Sequence, residues 1–275
     1  MYKLACAALI AVAANGLTGA RHAHAQGGTM AQPAAAEIAR ELAPSGTLRA
    51  ALNFGNPVLV QRDRATKEPR GVTVDLAREL ARRLNVALEF VPFDAAGRVF
   101  EALKTNSWDI AFLAIEPVRA AEIAFTPPYV IIEGVYLVPK DSRLRTIEEV
   151  DRDGVRIGVN KGSAYDLFLT RTLKHAQLQR GENGIELFRK EHLDAAAGVK
   201  QPLAEYARSH PDVQIMDGRF MEIRQAMGTP RVRLQGREAV PQYLRAFVEE
   251  MKASGFVAQA LARSNQPDAA VAPAE

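Results

Sequence analysis

The 275-residue sequence is poor in the residue types that usually announce chemistry. It has one cysteine, Cys6, one tryptophan, Trp108, and aromatic residues make up only 7% of the chain. A single thiol excludes an internal disulfide and any cysteine-rich metal site. The five histidines (His22, His24, His175, His192 and His210) form no His–Glu cluster with metal-ligand spacing. No Gly-x-Ser-x-Gly elbow is present, which removes the commonest serine-hydrolase signature. Charge of one sign is also lacking: 35 Lys and Arg face 32 Asp and Glu, a formal net charge of +3. So small an excess gives no footprint for a nucleic-acid partner. Long apolar runs are missing too. The longest, Leu4 to Val12, weakens toward Ala20 and is broken by Asn15 and Gly16, too short to span a bilayer. No repeat of solenoid period occurs.

That N-terminal run has another reading. Lys3 precedes it, and Ala23-His24-Ala25 closes it with small residues, the pattern of a secretory signal peptide over residues 1–25, cleaved after Ala25. Leu4-Ala5-Cys6 has the look of a lipid-attachment box, but Cys6 opens the apolar run where such a cysteine would close it. Lys3 and Arg21 leave with the segment, so the mature chain carries +1 and no thiol. The remaining length of about 250 residues is ample for one large or two small α/β domains.

Strand and helix signals alternate beyond that point. Residues 26–45 are Ala-rich, with a helical patch at Ala34–Leu42, and read as a flexible, loosely attached leader. Thr47–Leu52, Ala87–Val91, Ile110–Ile115, Gly134–Val138, Val155–Val159, Leu193–Gly198, Val213–Met216 and Met221–Met227 read as strands. Leu76, Leu80 and Leu84 recur at helical spacing, with Asp75 as a candidate N-cap. Helices are further expected over Gly97–Lys104, Val118–Ile123, Arg143–Asp151, Tyr165–Lys174, Ile185–Lys190, Pro202–Ser209 and a long Pro241–Arg263. Residues 264–275, rich in Ala and Pro, read as a disordered tail. Strands separated by helices imply βαβ units and parallel sheets, an α/β fold.

The segment from Trp108 to Tyr129, WDIAFLAIEPVRAAEIAFTPPY, carries the most information. It reads as a strand buried on both faces, a turn at Pro117, a short helix and an extended Phe-Thr-Pro-Pro-Tyr crossing. Glu116 and Arg119 fall just past the strand's carboxyl end, where ligands bind in open α/β sheets. This stretch resembles the solute-binding proteins of bacterial ABC importers, the amino-acid-binding family 3, which carry a Thr-x-x-Arg turn followed by Phe-Ser-x-Pro-Tyr. Gly46-Thr47-Leu48-Arg49, Gly71-Val72-Thr73-Val74-Asp75-Leu76, Gly158-Val159-Asn160-Lys161-Gly162-Ser163 and Leu193-Asp194-Ala195 match as well. The resemblance covers about residues 46–263. It implies a type II periplasmic-binding-protein fold: two lobes, each a mostly parallel sheet flanked by helices, joined by two hinge crossings. Residues 46–128 and 227–263 would form lobe 1 and residues 133–220 lobe 2.

The resemblance also implies where a ligand sits. Arg119 occupies the position of the arginine that grips an α-carboxylate, a task suited to a bidentate guanidinium. Gly162, Ser163 and Ala164 open a lobe-two helix whose N–H groups would hold the same carboxylate. A plain reading of each remains: Arg119 as a surface partner of Glu116, and Gly162-Ser163 as an ordinary capped turn. No tyrosine or phenylalanine stands where the family's aromatic lid is expected, though Phe54 and Phe93 lie near; Phe54 and Asn56 are counted among the candidate ligand-binding residues. The departures are as informative. Val199, followed by Lys200, stands where the family places an aspartate for the ligand's ammonium, and Glu116 stands in place of threonine. The expected function is a periplasmic receptor that captures a small carboxylate-bearing solute, an amino acid or organic acid, and delivers it to a membrane ABC permease. It would act as a monomer, without cofactor, metal or nucleic acid. Two alternatives share the scaffold: an enzyme similar to cyclohexadienyl dehydratase, with Glu116 as its acid or base, and a ligand sensor acting in trans.

Overall fold

The computed structural model describes residues 32–234, 238–266 and 269–275. The expected signal segment, residues 1–25, lies outside these. In chain order the elements are α1 (Gln32–Leu42), β1 (Thr47–Asn53), the two short strands β2 (Gln61–Arg62) and β3 (Pro69–Arg70), α2 (Val72–Leu84), β4 (Ala87–Phe93), α3 (Ala96–Glu101), β5 (Ile110–Ala114), α4 (Pro117–Ala120) and β6 (Ile123–Pro139). They continue with β7 (Arg156–Asn160), α5 (Ala164–Thr172), β8 (Gln177–Gly181), α6 (Gly184–Lys190), β9 (Ala195–Val199), α7 (Lys200–Ser209), β10 (Val213–Ile215), β11 (Met221–Pro230), α8 (Ala239–Ala253), α9 (Phe256–Arg263) and β12 (Ala270–Val271). Short 3-10 turns follow α3, precede β7 and follow β11.

The main sheet runs β4-β1-β5-β11-β6-β9-β7-β8. β4, β1 and β5 are parallel, and so are β9, β7 and β8. Between these trios lie β11 and β6, antiparallel to each other and each antiparallel to the trio beside it. Both halves are thus parallel βαβ units closed by one returning strand, and β6 and β11 pass from one half to the other. The β6–β11 register shifts between Gln225 and Gly228, opposite Thr126-Pro127-Pro128. Prolines lack the N–H a ladder needs, so the pairing bulges there. Thr126 compensates, its Oγ1 accepting the Met227 N–H at 3.2 Å.

Burial explains the helices. In α2, Val72, Leu76, Leu80 and Leu84 line one buried face while Arg82 remains exposed. The helix starts at Val72 rather than after Asp75. Gly71 precedes it with φ +125°, and a Cβ there would stand 2.3 Å from the Leu59 carbonyl oxygen, so only glycine permits that entry. The Asp75 carboxylate instead accepts from Arg263 at 2.8 Å, joining α2 to α9. The main core holds Leu48, Leu80, Ile132, Phe247 and Val257. A smaller one under β6 and β9 holds Val135, Leu137, Phe188 and Leu203. The single helix expected over 241–263 is two, because Gly255 adopts φ +77° between α8 and α9.

Both chain ends depart from expectation. The helical patch expected in the leader is there as α1, but it is not loosely attached: Ile38 and Leu42 are buried with Ala43. The tail, read as disordered, forms β12, which pairs with Val130 and Ile131 where β6 leaves the first half of the sheet. Ala269 and Ala272 are buried beside it, the Ala272 N–H reaches the Tyr129 carbonyl at 3.2 Å, and Lys252 Nζ donates to the Pro273 carbonyl at 2.7 Å. Backbone ladders and small buried side chains do not depend on the compositional signals of order. Ending the chain after Gln266 removes several such bonds, each contributing about 1 kcal/mol. The loss of about 2 kcal/mol should lower Tm by about 4–8 °C in a calorimetric scan. An unmoved Tm would mean that the tail adds nothing to the fold.

Candidate functional site

The carboxyl ends of the parallel strands converge on one cavity. β1 delivers Asn53 and Asn56, β4 delivers Asp94, and β5 delivers Leu113, Ala114 and, through α4, Arg119. From the other half, β7 delivers Asn160 and Lys161, the start of α5 delivers Ser163, Ala164 and Tyr165, and β9 delivers Val199. Ile223 and Gln225 on the crossing strand β11 complete the lining. Ligands occupy this place in open α/β sheets because loops diverge from the strand ends there. The cavity measures about 50 Å³, room for about three to five waters. A solute of amino-acid size therefore needs the two halves further apart than they stand here.

Arg119 is the cavity's central group. Pro117 at the first position of α4 turns the chain sharply after β5, and the side chain folds back so that Arg119 is 1% exposed. Nη1 donates to the Ala114 carbonyl at 3.2 Å, and Nη2 donates across the cleft to the Gly162 carbonyl at 2.8 Å. Nε has no partner, and neither has Oδ1 of buried Asn56. Burial holds the Arg119 pKa down to about 10, against a smaller opposing pull from the Glu116 charge. Burial likewise raises the Tyr165 phenol to about 12. A buried cation and an unfilled acceptor lining one cavity are both completed by a ligand that carries an anionic group and a hydrogen-bond donor.

The second grip differs from its expected form. Gly162 takes φ +71°, and a Cβ on it would meet the Gly97 Cα at 3.0 Å, so the two halves touch backbone to backbone here. The Gly162 N–H does not face the cavity. It donates to Asp166 Oδ2 at 2.8 Å, while Ser163 Oγ caps the helix by accepting the Asp166 N–H at 3.1 Å. Arg180 Nε then holds Asp166 Oδ1 at 2.8 Å. Ala164 and Tyr165 are left as the first-turn residues that line the cavity.

Of the nine residues expected from the sequence, Arg119, Asn56, Ser163, Ala164 and Val199 line the cavity. The other four do not. Glu116 is buried, but its Oε2 lies 2.6 Å from Arg171 Nη1 of the opposite half, an ion pair across the cleft. Lys200 Nζ is 2.6 Å from Glu133 Oε2. The Phe54 ring lies under the Arg62 guanidinium, with Cζ 4.0 Å from its centroid. Gly162 backs the site through its carbonyl alone. Asn53, Asp94 and Asn160 were missed, although each ends or directly follows a parallel strand, the one signal that points to them. Gln225 had no signal, because β11 enters the site from a distant part of the chain.

Two parallel βαβ halves, joined by two antiparallel crossings and meeting over a polar cleft, define a type II periplasmic-binding-protein scaffold. A family model matches residues 51–264, and the chain belongs to the bacterial extracellular solute-binding proteins, family 3. It is similar to the histidine-binding periplasmic protein of Escherichia coli K12, with 28% identity over 205 residues that cover 67% of this chain and 75% of the relative. It is also similar to the cyclohexadienyl dehydratase of Pseudomonas aeruginosa, with 27% identity over 152 residues, 52% of this chain and 56% of that enzyme. Among solved structures, a mutant of ArgBP from T. maritima superposes with a TM-score of 0.68 at 22% identity, covering 83% of this chain and 99% of that one.

Proposed function

We propose that the protein is a periplasmic receptor of an ABC importer that captures a small carboxylate-bearing solute between its two halves and hands it to a membrane permease. The observation that carries this reading is the fully buried Arg119, whose Nε lacks a partner, in a cavity at the carboxyl ends of the strands that is also lined by the unpartnered Asn56 Oδ1. The guanidinium now spends its two terminal nitrogens on backbone carbonyls, one from each half. A carboxylate that replaces the Gly162 carbonyl would form charge-assisted bonds, roughly twice as strong as neutral ones. Its differential affinity for the closed form would then drive closure. The periplasmic relative that binds histidine favours the same reading.

A dehydratase would need an acid or base at the reacting atoms. Glu116, the candidate nominated for that role, is committed to Arg171. Titration calorimetry against amino acids, hydroxy acids, dicarboxylates and prephenate tests the receptor reading. A saturable heat from one carboxylate class supports it. Silence from every carboxylate, or turnover of prephenate, would sink it.

A further inference from the structure

The charges around the cavity are unevenly distributed. Its buried charge is cationic, Arg119, with Lys161 adding a second positive group at the exposed rim. Among the described lining residues the only carboxylate is Asp94, which is solvent-exposed. The nearby buried carboxylates are engaged elsewhere: Glu116 with Arg171, and Asp166 with the Gly162 N–H and Arg180. What faces the interior is a guanidinium without a counter-ion in contact, together with neutral groups such as Asn56 and Gln225. Asn56 and Gln225 are both buried.

On the receptor reading above, we infer that the solute is a small hydroxycarboxylate rather than an α-amino acid. A monoanion supplies the charge that the buried guanidinium lacks. A zwitterion brings the same carboxylate but also an ammonium, which would be desolvated within a few ångströms of Arg119, where the buried lining offers only neutral oxygens and the one carboxylate, Asp94, stays at the exposed rim. Like charges so close in a dry cleft repel strongly. A hydroxyl in the same place carries no such penalty. It donates to the unpartnered Asn56 Oδ1 and, being both donor and acceptor, suits that amide in either orientation.

Isothermal titration with matched pairs that differ only at the α-substituent tests this: lactate against alanine, malate against aspartate, and phenyllactate against phenylalanine. The hydroxy member of at least one pair should bind at least tenfold more tightly than its amino partner. An amino member that binds as tightly or better in every responding pair overturns this inference and leaves the receptor reading intact. Silence from both members of all pairs overturns both. Asn56→Asp adds a second readout, because it supplies the missing anion beside the α-substituent. It should weaken the hydroxy acid and strengthen the amino acid, narrowing the preference at least tenfold. An unchanged preference removes Asn56 from the α-substituent and overturns the placement.

Discussion

Arg119→Met should weaken solute binding at least tenfold, about 1.4 kcal/mol or more, while the fold survives. Hydrogen bonds to charged groups contribute about 1.5–3 kcal/mol each. A carboxylate held by two guanidinium nitrogens therefore stands to lose about 3–6 kcal/mol, on the order of a hundredfold to ten-thousandfold, when both bonds disappear. Methionine keeps much of the side chain's length and apolar packing. Its effect on stability is small because two terms oppose: the Ala114 and Gly162 carbonyls lose their donors, but a fully buried cation is no longer desolvated. A Tm within about 5 °C of the parent corresponds to about 1–2 kcal/mol in a domain of this size. Arg119→Lys should recover only part of the affinity, since an ammonium cannot make the planar two-pronged contact. Titration calorimetry and a thermal scan on the same samples check both halves of the statement. Full affinity in the methionine variant would place the carboxylate elsewhere, and collapse of Tm would make Arg119 a structural residue first.

What could be read from the sequence was whatever depends on local pattern. The buried run Ile110–Ala114 followed by proline placed Arg119 at a strand's carboxyl end without any knowledge of its neighbours, and the Asn160–Ser163 turn placed the start of α5 likewise. The readings that the structure does not bring to the cavity turn on partners that local pattern does not report, most of them distant in the chain. Glu116 and Lys200 read as ligand groups because their counter-ions, Arg171 and Glu133, lie 55 and 67 residues away. Gly162 read as an N–H donor to the ligand because Asp166, four residues on, also reads as an ordinary helix residue. Only the folded turn brings its carboxylate back onto that N–H. The periodicity across 241–263 is helical throughout, so it could not reveal that Gly255 swings α9 away from α8. β12 shows the same limit from the other side: its order comes from β6, which no property of the tail's own composition reports.

The largest stability effect belongs to Asp109, which lies away from the cavity. Its carboxylate is 2% exposed and joins β1 to the start of β5. Oδ2 accepts the Arg49 N–H at 2.7 Å and Arg49 Nε at 3.2 Å, and Oδ1 accepts Arg49 Nη2 at 2.8 Å together with Arg233 Nη1. Removing one member of a buried ion pair costs about 3–5 kcal/mol, here toward the lower end because Arg49 and Arg233 keep 28% and 17% of their side-chain surface in solvent. Asp109→Asn keeps the shape and deletes the charge, so Tm should fall by about 6–20 °C. The pH dependence gives a sharper test. Burial alone would push this carboxyl's pKa up, but the hydrogen bonds from Arg49 and Arg233 outweigh it and hold the pKa below its ordinary value. A pKa depressed in the folded state gives stability that is fully present above the unfolded value of about 3.9 and is lost as pH falls through the folded one. The Tm gap between parent and Asp109→Asn should therefore stay constant from pH 7 to about pH 5 and shrink below pH 4. Other carboxylates held low, such as Glu79 and Glu250 on the α2–α8 tie, titrate in both proteins and cancel from the difference. Parallel Tm curves down to pH 3 would show that the charge on Asp109 does not hold β1 to β5. That pairing matters beyond stability, since β1 and β5 end in Asn53 and Ala114, the strand ends from which Asn56 and Arg119 reach the cavity.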